Sequence, residues 1–549
     1  MGLSHGVGAM RAGIRNLISG IAVALLAAQS WAGNPLTDST DVKIPTVRSE
    51  VENSIAVSPL NSKVLFVSNI AIDSQSRGIT TWISQDAGKT WSDSILLTPS
   101  RADPAVVIGR TGGTHGRFFD NHLDSGKYAL GIHYKDTVGS TSWSHVQILP
   151  GADEGNSGAD KNHLAINNST TGNFVNYLWS GFSEALTVGR VSLKYSTNNG
   201  ASWIPTLNPI GVDVPPGLDR QHTGVNLQVG PPPAARLYAC FSVRNTFGQI
   251  PFTEQIGFRY SEDGGETWSS PTAGQGISSV TGFWSLPGKS MELLIAPVMA
   301  VDSNSGHIFV AYTNKVPGGD TDIFIRRSTD QGLTWSSPVR VNTDPSGNGK
   351  DQWNPWMAWD DATGALVVTY LDSRDFSAND RVNTYMAVSF DGSATWQDFK
   401  VSDANWDGDN FWGHYMGLAA KDGIAFPVWS DDREVATSFK PYISPMQLWG
   451  VNQSSVTHSI VNDAELALTV TSNWTTNRPA TGQDVMVLTS PTGAVWTGTA
   501  VPSSGTSHTA AKTCTCETGD WTYIVKSTIP NFAKRGSNPK SFRINYCVD

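Results

Sequence analysis

The sequence predicts an all-β protein built from small antiparallel sheets that repeat along the chain. An eight-residue pattern, Ser-x-Asp-x-Gly-x-Thr-Trp, is present at Ser84–Trp91 and returns four times in close variants. Short apolar runs typical of strands recur about sixty residues apart, each followed by a second apolar strand. Four antiparallel strands per unit, repeated radially, form a β-propeller. We therefore expect a β-propeller, followed by a C-terminal β-sandwich.

The repeated octapeptide predicts a tight turn between the third and fourth strands of a unit. Asp, Asn and Gly permit the reversal, the Asp carboxylate can accept backbone N–H groups, and the Trp packs beneath the turn. The copies are Ser84–Trp91, Ser196–Trp203, Ser261–Trp268, Ser328–Trp335 and Ser389–Trp396, with a looser copy ending at Trp143. The pattern resembles the Asp-box (BNR) repeat of the sialidase-like β-propellers. The resemblance implies a fold more than a function, because Asp-boxes lie on hairpins away from the active face.

Seven apolar runs can be aligned as first strands, so seven blades are favoured and six are the alternative. The sialidases of the resembled superfamily have six blades, and a count of seven departs from them. The seventh unit lacks both the octapeptide and a fourth strand. Val42–Val47 has the pattern of that missing strand, so we expect the N-terminus to close the ring. The predicted propeller spans residues 42–452, and the alternating strands of residues 463–549 predict the β-sandwich module.

Residues 1–32 have the pattern of a signal peptide. Arg11 and Arg15 precede the apolar run Leu17–Ala28, and a small-x-small cleavage site ends at Ala32. We therefore expect a secreted or periplasmic protein with no membrane span after cleavage, acting as a monomer. The net charge of −10 argues against nucleic acid and anionic membranes as partners.

The four cysteines fit an oxidising compartment. We expect Cys547 to pair with either Cys514 or Cys516, and Cys240, within an apolar run, to be a buried free thiol. The Cys-Thr-Cys segment lacks further ligands at zinc-finger spacing, and neither a metal nor a cofactor is expected.

Strand polarity places the loops that precede the first strands around one mouth of the propeller, opposite the repeated turns. This rim is rich in Asp, Glu, His, Arg and Trp, which suits acid–base chemistry on sugars, clamping of a carboxylate and stacking on sugar rings. The catalytic candidates are Tyr415, Asp351, Asp103 and His414. The substrate-binding candidates are Arg220, Arg374, Arg433, His222, Trp353 and Trp412. The structural alternative is that such residues only satisfy loop backbones, and that Arg374 and Arg433 form a repeated ion pair.

The resemblance implies a glycoside hydrolase of sialidase type that acts on acidic terminal sugars of glycans. Sialidases use three arginines on the substrate carboxylate, a Tyr nucleophile assisted by Glu, and an Asp acid. This chain departs from them, because PTVRSEVENS stands where the Phe/Tyr-Arg-Ile-Pro motif is expected. The alternatives are a polysaccharide lyase acting on uronate-containing glycans, with His163, His222, His414 or Tyr415 as the base, and a non-catalytic propeller that binds glycan or protein.

Overall fold

The structure is a computed structural model of the 549-residue chain. It describes residues 40–72, 77–125, 128–151, 158–184, 190–210, 221–244, 252–269, 276–282, 286, 289, 296–316, 319–407, 413–436, 438–448, 451–462, 467–476, 485–489, 494–499, 507–515, 519–527, 535–536 and 540–544. The signal-peptide segment, Cys516 and Cys547 lie outside these residues, and the side chain of Cys514 is not described.

Every regular element of the described residues is a β-strand, which confirms the all-β prediction. The strands of the propeller region, residues 42–447, begin with β1 (Val42–Lys43), β2 (Ser49–Val57), β3 (Leu65–Ile72), β4 (Arg77–Ser84), β5 (Ser92–Leu97), β6 (Ala102–Gly113), β7 (Gly116–Leu123), β8 (Leu130–Lys135), β9 (Ser144–Leu149), β10 (Ala159–Ile166), β11 (Leu178–Glu184), β12 (Val191–Ser196), β13 (Ile204–Pro205), β14 (Gln221–Val229) and β15 (Leu237–Arg244). They continue with β16 (Phe252–Ser261), β17 (Gly276–Gly282), β18 (Val298–Val301), β19 (Ile308–Lys315), β20 (Thr321–Ser328), β21 (Val339–Arg340), β22 (Gln352–Asp360), β23 (Ala365–Asp372), β24 (Arg381–Ser389), β25 (Gln397–Lys400), β26 (Trp406–Asp407), β27 (Gly417–Lys421), β28 (Ile424–Asp431), β29 (Lys440–Ile443) and β30 (Met446–Gln447).

These strands form seven antiparallel sheets, which are the seven blades of a propeller. Six blades take four consecutive strands each, from β2–β5 through β22–β25. The seventh has the order β1-β29-β28-β27, with Val42 paired to Ile443 and Lys43 to Tyr442. The favoured count of seven is therefore confirmed, and the N-terminal strand completes the last blade as expected.

The apolar core lies between neighbouring blades. Ile323 and Ile325 of β20 pack with Leu366 and Val368 of β23, and the box residue Trp396 covers the same cluster. Large aliphatic and aromatic side chains that alternate along the strands are buried in this way between blades. An equivalent cluster joins the seventh blade to the first, so the ring is closed by apolar packing as well as by strand pairing.

The repeated turns share one hydrogen-bond pattern. In the copy at Ser328–Trp335, the Ser328 hydroxyl donates to Asp330 (2.8 Å) and accepts the N–H of Gly332 (2.7 Å). Asp330 also accepts the N–H of Thr334 at 2.9 Å. Where the fifth copy has Ser393 in place of Gly, the backbone keeps a left-handed φ of 73°. The side chain at the Asp position therefore closes the turn, as the sequence predicts, and it is a carboxylate in four copies and the Asn198 amide in the second.

The chain divides into two compact units, Asp38–Trp449 and a C-terminal unit of Gly450–Thr528 with Lys534–Asp549. The C-terminal strands are β31 (Val451–Asn462), β32 (Ala467–Thr476), β33 (Val485–Thr489), β34 (Val495–Thr499), β35 (Ser507–Thr515), β36 (Gly519–Ser527), β37 (Arg535–Gly536) and β38 (Lys540–Ile544). They form a three-stranded sheet, β31-β32-β35, and a five-stranded sheet around β33 and β36. Two antiparallel sheets are what a β-sandwich requires. Among the described residues, no helix is long and apolar enough to span a bilayer.

Candidate functional site

A repeated bulge shapes the rim opposite the turns. In five blades the strand pairing of the first strand is interrupted near its start, and two residues stand between the paired ones. The first of these two has a left-handed backbone in every case, and they are Glu52 (φ 54°), Asp103 (53°), Lys161 (50°), Gly224 (63°) and Asn354 (50°). A left-handed φ is costly for residues other than glycine, and a bulge redirects the side chain it carries. Five blades therefore share this bulge, and in four of them it places a polar side chain at the rim.

Glu52 and His414 form the first pair of the site. The Nδ1 atom of His414 lies 3.1 Å from Oε1 of Glu52, and the backbone N–H of His414 donates to the same oxygen at 3.1 Å. The side chain of Glu52 is 6% exposed, whereas that of His414 is 23% exposed. A carboxylate thus fixes the orientation of an imidazole that reaches solvent.

Asp103 and Lys161 form the second pair. The Lys161 ammonium lies 3.3 and 3.4 Å from the two Asp103 oxygens, and the Lys161 backbone N–H donates to Oδ2 at 3.1 Å. Both groups are largely buried, so their interaction is weakly screened by water.

The two carboxyl groups of these pairs have opposite pKa shifts. Burial would raise the pKa of Glu52, but the charge of Lys161 and the hydrogen bond from His414 hold it at about 2. Burial raises the pKa of Asp103 well above its usual range, against the pull of Lys161, and the negative charge of Glu52 adds to the rise. These opposite directions favour the ionised form of Glu52 and the protonated form of Asp103, a difference that can set up a base and an acid.

Both pairs line one cavity of about 450 Å³, which we call the mouth cavity. Its wall also contains Arg77 and Arg101, two exposed arginines from blades one and two. The remaining lining residues are Val51, Ile70, Ile72, Ala102, Leu123, Asp124, Tyr128, Asp160 and Gly413. Arg77 and Arg101 therefore line the same cavity as Glu52 and Asp103, and such a cavity can hold an anionic group next to an acid and a base.

Tyr415 follows His414 but belongs to a second cavity of about 350 Å³, lined by the first strands around the propeller axis. Its ring packs edge-on against Trp356, and the Lys161 ammonium lies 5.3 Å from its centroid. Its hydroxyl is buried and has no hydrogen-bond partner among the described residues. Burial raises the pKa of Tyr415 well above its usual range, with Lys161 opposing the rise. The hydroxyl is therefore a poor nucleophile in this geometry.

Asp351 and Trp353 lie elsewhere, in the buried start of β22. The Asp351 carboxylate lies 3.2 Å from the Lys289 ammonium and accepts hydrogen bonds from Asn379 Nδ2 (2.8 Å) and Thr321 N (3.1 Å). Trp353 is fully buried, and Lys289 lies 5.0 Å from its ring. These contacts fit a structural network that holds blades five and six together.

Arg374 and Arg433 occupy equivalent places in adjacent blades, where each pairs with carboxylates of the chain. The Arg374 guanidinium lies 2.7 Å from both Asp372 and Asp398. The Arg433 guanidinium lies 2.6 Å from Asp431 and 2.7 Å from Asp41. Neither arginine lines the mouth cavity, so we leave both out of the proposed site in favour of the ion-pair alternative.

Three of the remaining candidates cannot be placed. Arg220 and Trp412 lie outside the described residues, and the side chain of His222 is not described. His163 is placed on β10, where both ring nitrogens contact blade four. Cys240 is a buried free thiol, as expected.

The structure thus brings Asp103 and His414 together, with Tyr415 behind them. Glu52, Lys161 and Arg101 are recognisable as rim residues in the sequence, but nothing in their local pattern singles them out. Glu52 and Lys161 each take the first position of a bulge and Arg101 directly precedes β6, and these places become visible only when the blades are aligned by their bulges.

No protein-family model matches the chain, and no curated protein matches its sequence. Among solved structures, it is similar to an ulvan lyase from a new polysaccharide lyase family, with 11% identity, 74% of this chain and 96% of that chain covered, and a TM-score of 0.46. It is also similar to the α-L-arabinofuranosidase of Fusarium graminearum, with 11% identity, coverage of 76% and 99%, and a TM-score of 0.38. A sialidase from Streptococcus pneumoniae gives 14% identity, coverage of 76% and 72%, and a TM-score of 0.32. Likeness at this level carries no argument about activity, which must come from the site itself.

Proposed function

We propose that the mouth cavity cleaves an acidic polysaccharide by β-elimination, with His414 as the base. The observation that carries this proposal is the contact between Glu52 and Nδ1 of His414 at the cavity wall. A carboxylate at Nδ1 selects the tautomer with hydrogen on that atom and leaves Nε2 unprotonated. Nε2 can then accept a proton from a bound substrate.

The charges of the cavity suit a uronate. Arg77, Arg101 and Lys161 line the same wall, and cations beside a uronate carboxylate stabilise the negative charge that develops when the neighbouring C–H proton is removed. In the elimination, Nε2 of His414 takes the proton from C5, a C4=C5 double bond forms, and the C4–O4 bond breaks. Asp103, whose pKa is raised by burial, can donate a proton to the leaving oxygen.

Hydrolysis of an acidic terminal sugar, as the Asp-box resemblance implies, is the second candidate. The observation in its favour is the same two carboxyl groups, Asp103 with a raised pKa and Glu52 with a lowered one, which resemble the acid and the assisting Glu of a sialidase. The buried hydroxyl of Tyr415 weighs against it, because a nucleophile must reach the anomeric carbon.

The test is incubation of the purified protein with uronate polysaccharides, followed by ultraviolet absorbance of unsaturated product ends, and separately with a fluorogenic sialoside. We expect unsaturated ends, and a loss of at least about a hundredfold in His414→Gln and in Glu52→Gln. His307→Gln is the matched control, because His307 lies in the turn before β19, at the end of its blade that is opposite the mouth cavity.

Saturated products or sialoside turnover would favour hydrolysis over elimination. Binding of the polysaccharide without any cleavage would identify a non-catalytic propeller. Full activity in His414→Gln would remove this histidine from the mechanism.

A further inference from the structure

Three histidines of the second blade converge on one point. His122 lies on β7, His133 on β8 and His145 on β9. His133 pairs with His145 on one side and with Asp120 on the other. Because Asp120 and His122 are two residues apart on β7, all three imidazoles lie on one face of the sheet. One ligating atom from each ring lies within 4.8 Å of the other two. Three adjacent strands thus deliver three imidazoles, a donor set that binds divalent transition metals.

Asp124 supplies a fourth ligating group. Its Oδ1 lies 3.3 Å from Nε2 of His122, and its Oδ2 lies 3.1 Å from Nε2 of His145. Nε2 of His122 lies 3.1 Å from Nδ1 of His133. In a tetrahedral zinc site with bonds of about 2.0–2.1 Å, neighbouring ligand atoms are separated by roughly 3.3 Å. These three separations are close to the edge of such a tetrahedron, and the three histidine atoms all lie within 4.8 Å of one another.

The outer hydrogen bonds leave lone pairs pointing inward. Nδ1 of His122 lies 3.0 Å from Oδ1 of Asp120, and Nε2 of His133 lies 3.1 Å from the Thr98 carbonyl oxygen. Both partners are acceptors, so each of these ring nitrogens carries a hydrogen and donates it. In this tautomer Nε2 of His122 and Nδ1 of His133 face each other as acceptors, and Nε2 of His122 also lies 3.3 Å from both the Asp124 carboxylate and the Pro99 carbonyl oxygen. Such a group of lone pairs is repulsive unless a cation or an additional proton lies among them.

These outer partners are also the ones that metal-binding histidines use. A ligating imidazole almost always donates its second N–H to a carboxylate or a carbonyl, which fixes its tautomer. The Ser68 hydroxyl donates to Asp120 and holds that carboxylate in turn. Two of the three rings are therefore already oriented as ligands.

The blade provides room for the carboxylate and access for an ion. A Cβ at Gly131, the residue paired with His122, would stand 2.4 Å from the Asp124 oxygens, so glycine makes space for this group. The side chain of His145 is 24% exposed, and Asp124 also lines the mouth cavity. An ion can therefore reach the cluster from solvent.

We propose that His122, His133, His145 and Asp124 form a mononuclear site for a divalent transition metal ion with zinc-like preference for a tetrahedral nitrogen and oxygen donor set. Calcium and magnesium fit less well, because they take oxygen donors at higher coordination numbers. The site is distinct from the acid–base pairs of the mouth cavity and does not depend on the proposed activity.

The test uses the full chain after treatment with a chelator and dialysis. Added zinc chloride should bind with a stoichiometry near one ion per chain by elemental analysis and raise the melting temperature, and a chelator should reverse both effects. Cobalt in place of zinc should give the visible absorption of a tetrahedral ion. His145→Ala, at the exposed edge of the cluster, and Asp124→Asn should both lose the ion, whereas His307→Gln should keep it.

Three results would overturn the proposal. One is the absence of zinc uptake and of any melting shift in the wild-type chain. Another is undiminished uptake in both His145→Ala and Asp124→Asn. The third is a sulfur-to-cobalt charge-transfer band, which would place the ion on cysteine.

Discussion

Acid should weaken the propeller through His163, which joins blades three and four. The Leu227 N–H donates to Nδ1 of this ring at 3.2 Å, so that nitrogen has no hydrogen. Nε2, 3.2 Å from the Asn226 amide group, then carries the hydrogen, and an Asn226 amide turned to present its oxygen satisfies both groups. A second proton on the ring would meet the Leu227 N–H. Burial lowers the pKa of His163 from 6.5 to about 4.

The way in which folding stability changes with pH follows from the difference between the pKa of His163 in the folded and in the unfolded chain. The unfolded chain takes up a proton at His163 as the pH falls below 6.5, whereas the folded chain does so only near pH 4. Stability from this group is therefore complete above pH 6.5 and declines down to about pH 4. The loss of folding free energy from His163 reaches at most about 2.5 kcal/mol at about pH 4.5. Because the ring is partly exposed to the cavity around the propeller axis, we expect a loss of about 1–2.5 kcal/mol.

The assay compares the free energy of unfolding of the wild type and of His163→Asn by urea titration at about pH 7 and about pH 4.5. The asparagine oxygen can accept the Leu227 N–H but does not titrate. The wild type should lose about 1–2.5 kcal/mol more than the variant between the two pH values. His307→Asn is the control and should follow the wild type. If the wild type and His163→Asn lose equal unfolding free energy between the two pH values, His163 is not the source of the acid sensitivity.

Three further substitutions test single contacts. Tyr415→Phe removes a buried hydroxyl with no partner among the described residues, so turnover should stay near wild type; a loss of about a hundredfold in steady-state kinetics would favour a tyrosine nucleophile. Lys289→Met leaves the Asp351 carboxylate buried without this cation and should cost about 3–5 kcal/mol in urea unfolding, part of which the added Asp351→Asn should restore. Asp330→Ala opens one repeated turn and should cost about 1–2 kcal/mol with unchanged activity; an unchanged melting temperature would contradict the role of its hydrogen bonds.

The sequence predicted the parts of the fold that depend on local chemistry. The turn around Asp330 needs only residues within one octapeptide, and the closing role of Val42 followed from a last unit with three strands. By contrast, a left-handed backbone at Glu52 and Lys161 has no local signature, because neither residue type favours that conformation. Their contacts with His414 and Asp103 join strands from different blades.

The histidine cluster was missed for a different reason. His122, His133 and His145 are 11 and 12 residues apart (133 − 122 and 145 − 133), so no two of them have the short spacing that marks a ligand pair in common zinc motifs. An antiparallel register places Asp120 opposite His133 and His133 opposite His145. Aligning the two hairpins of the blade would have revealed the cluster, and the expectation of no metal came from considering cysteine spacing alone.

The propeller ring can close only late in synthesis of the chain. Among the strands that the structure describes, β1 pairs only with β29, and the Ile44 N–H donates to the Pro441 carbonyl at 2.9 Å, about 400 residues away along the chain. At about 5–20 residues per second, a ribosome needs roughly 20–80 s to make that distance. During this interval the first strand has no edge to join, while the earlier blades can already assemble in order. The pairing of β1 with β29 therefore cannot form until nearly the whole propeller has been synthesised.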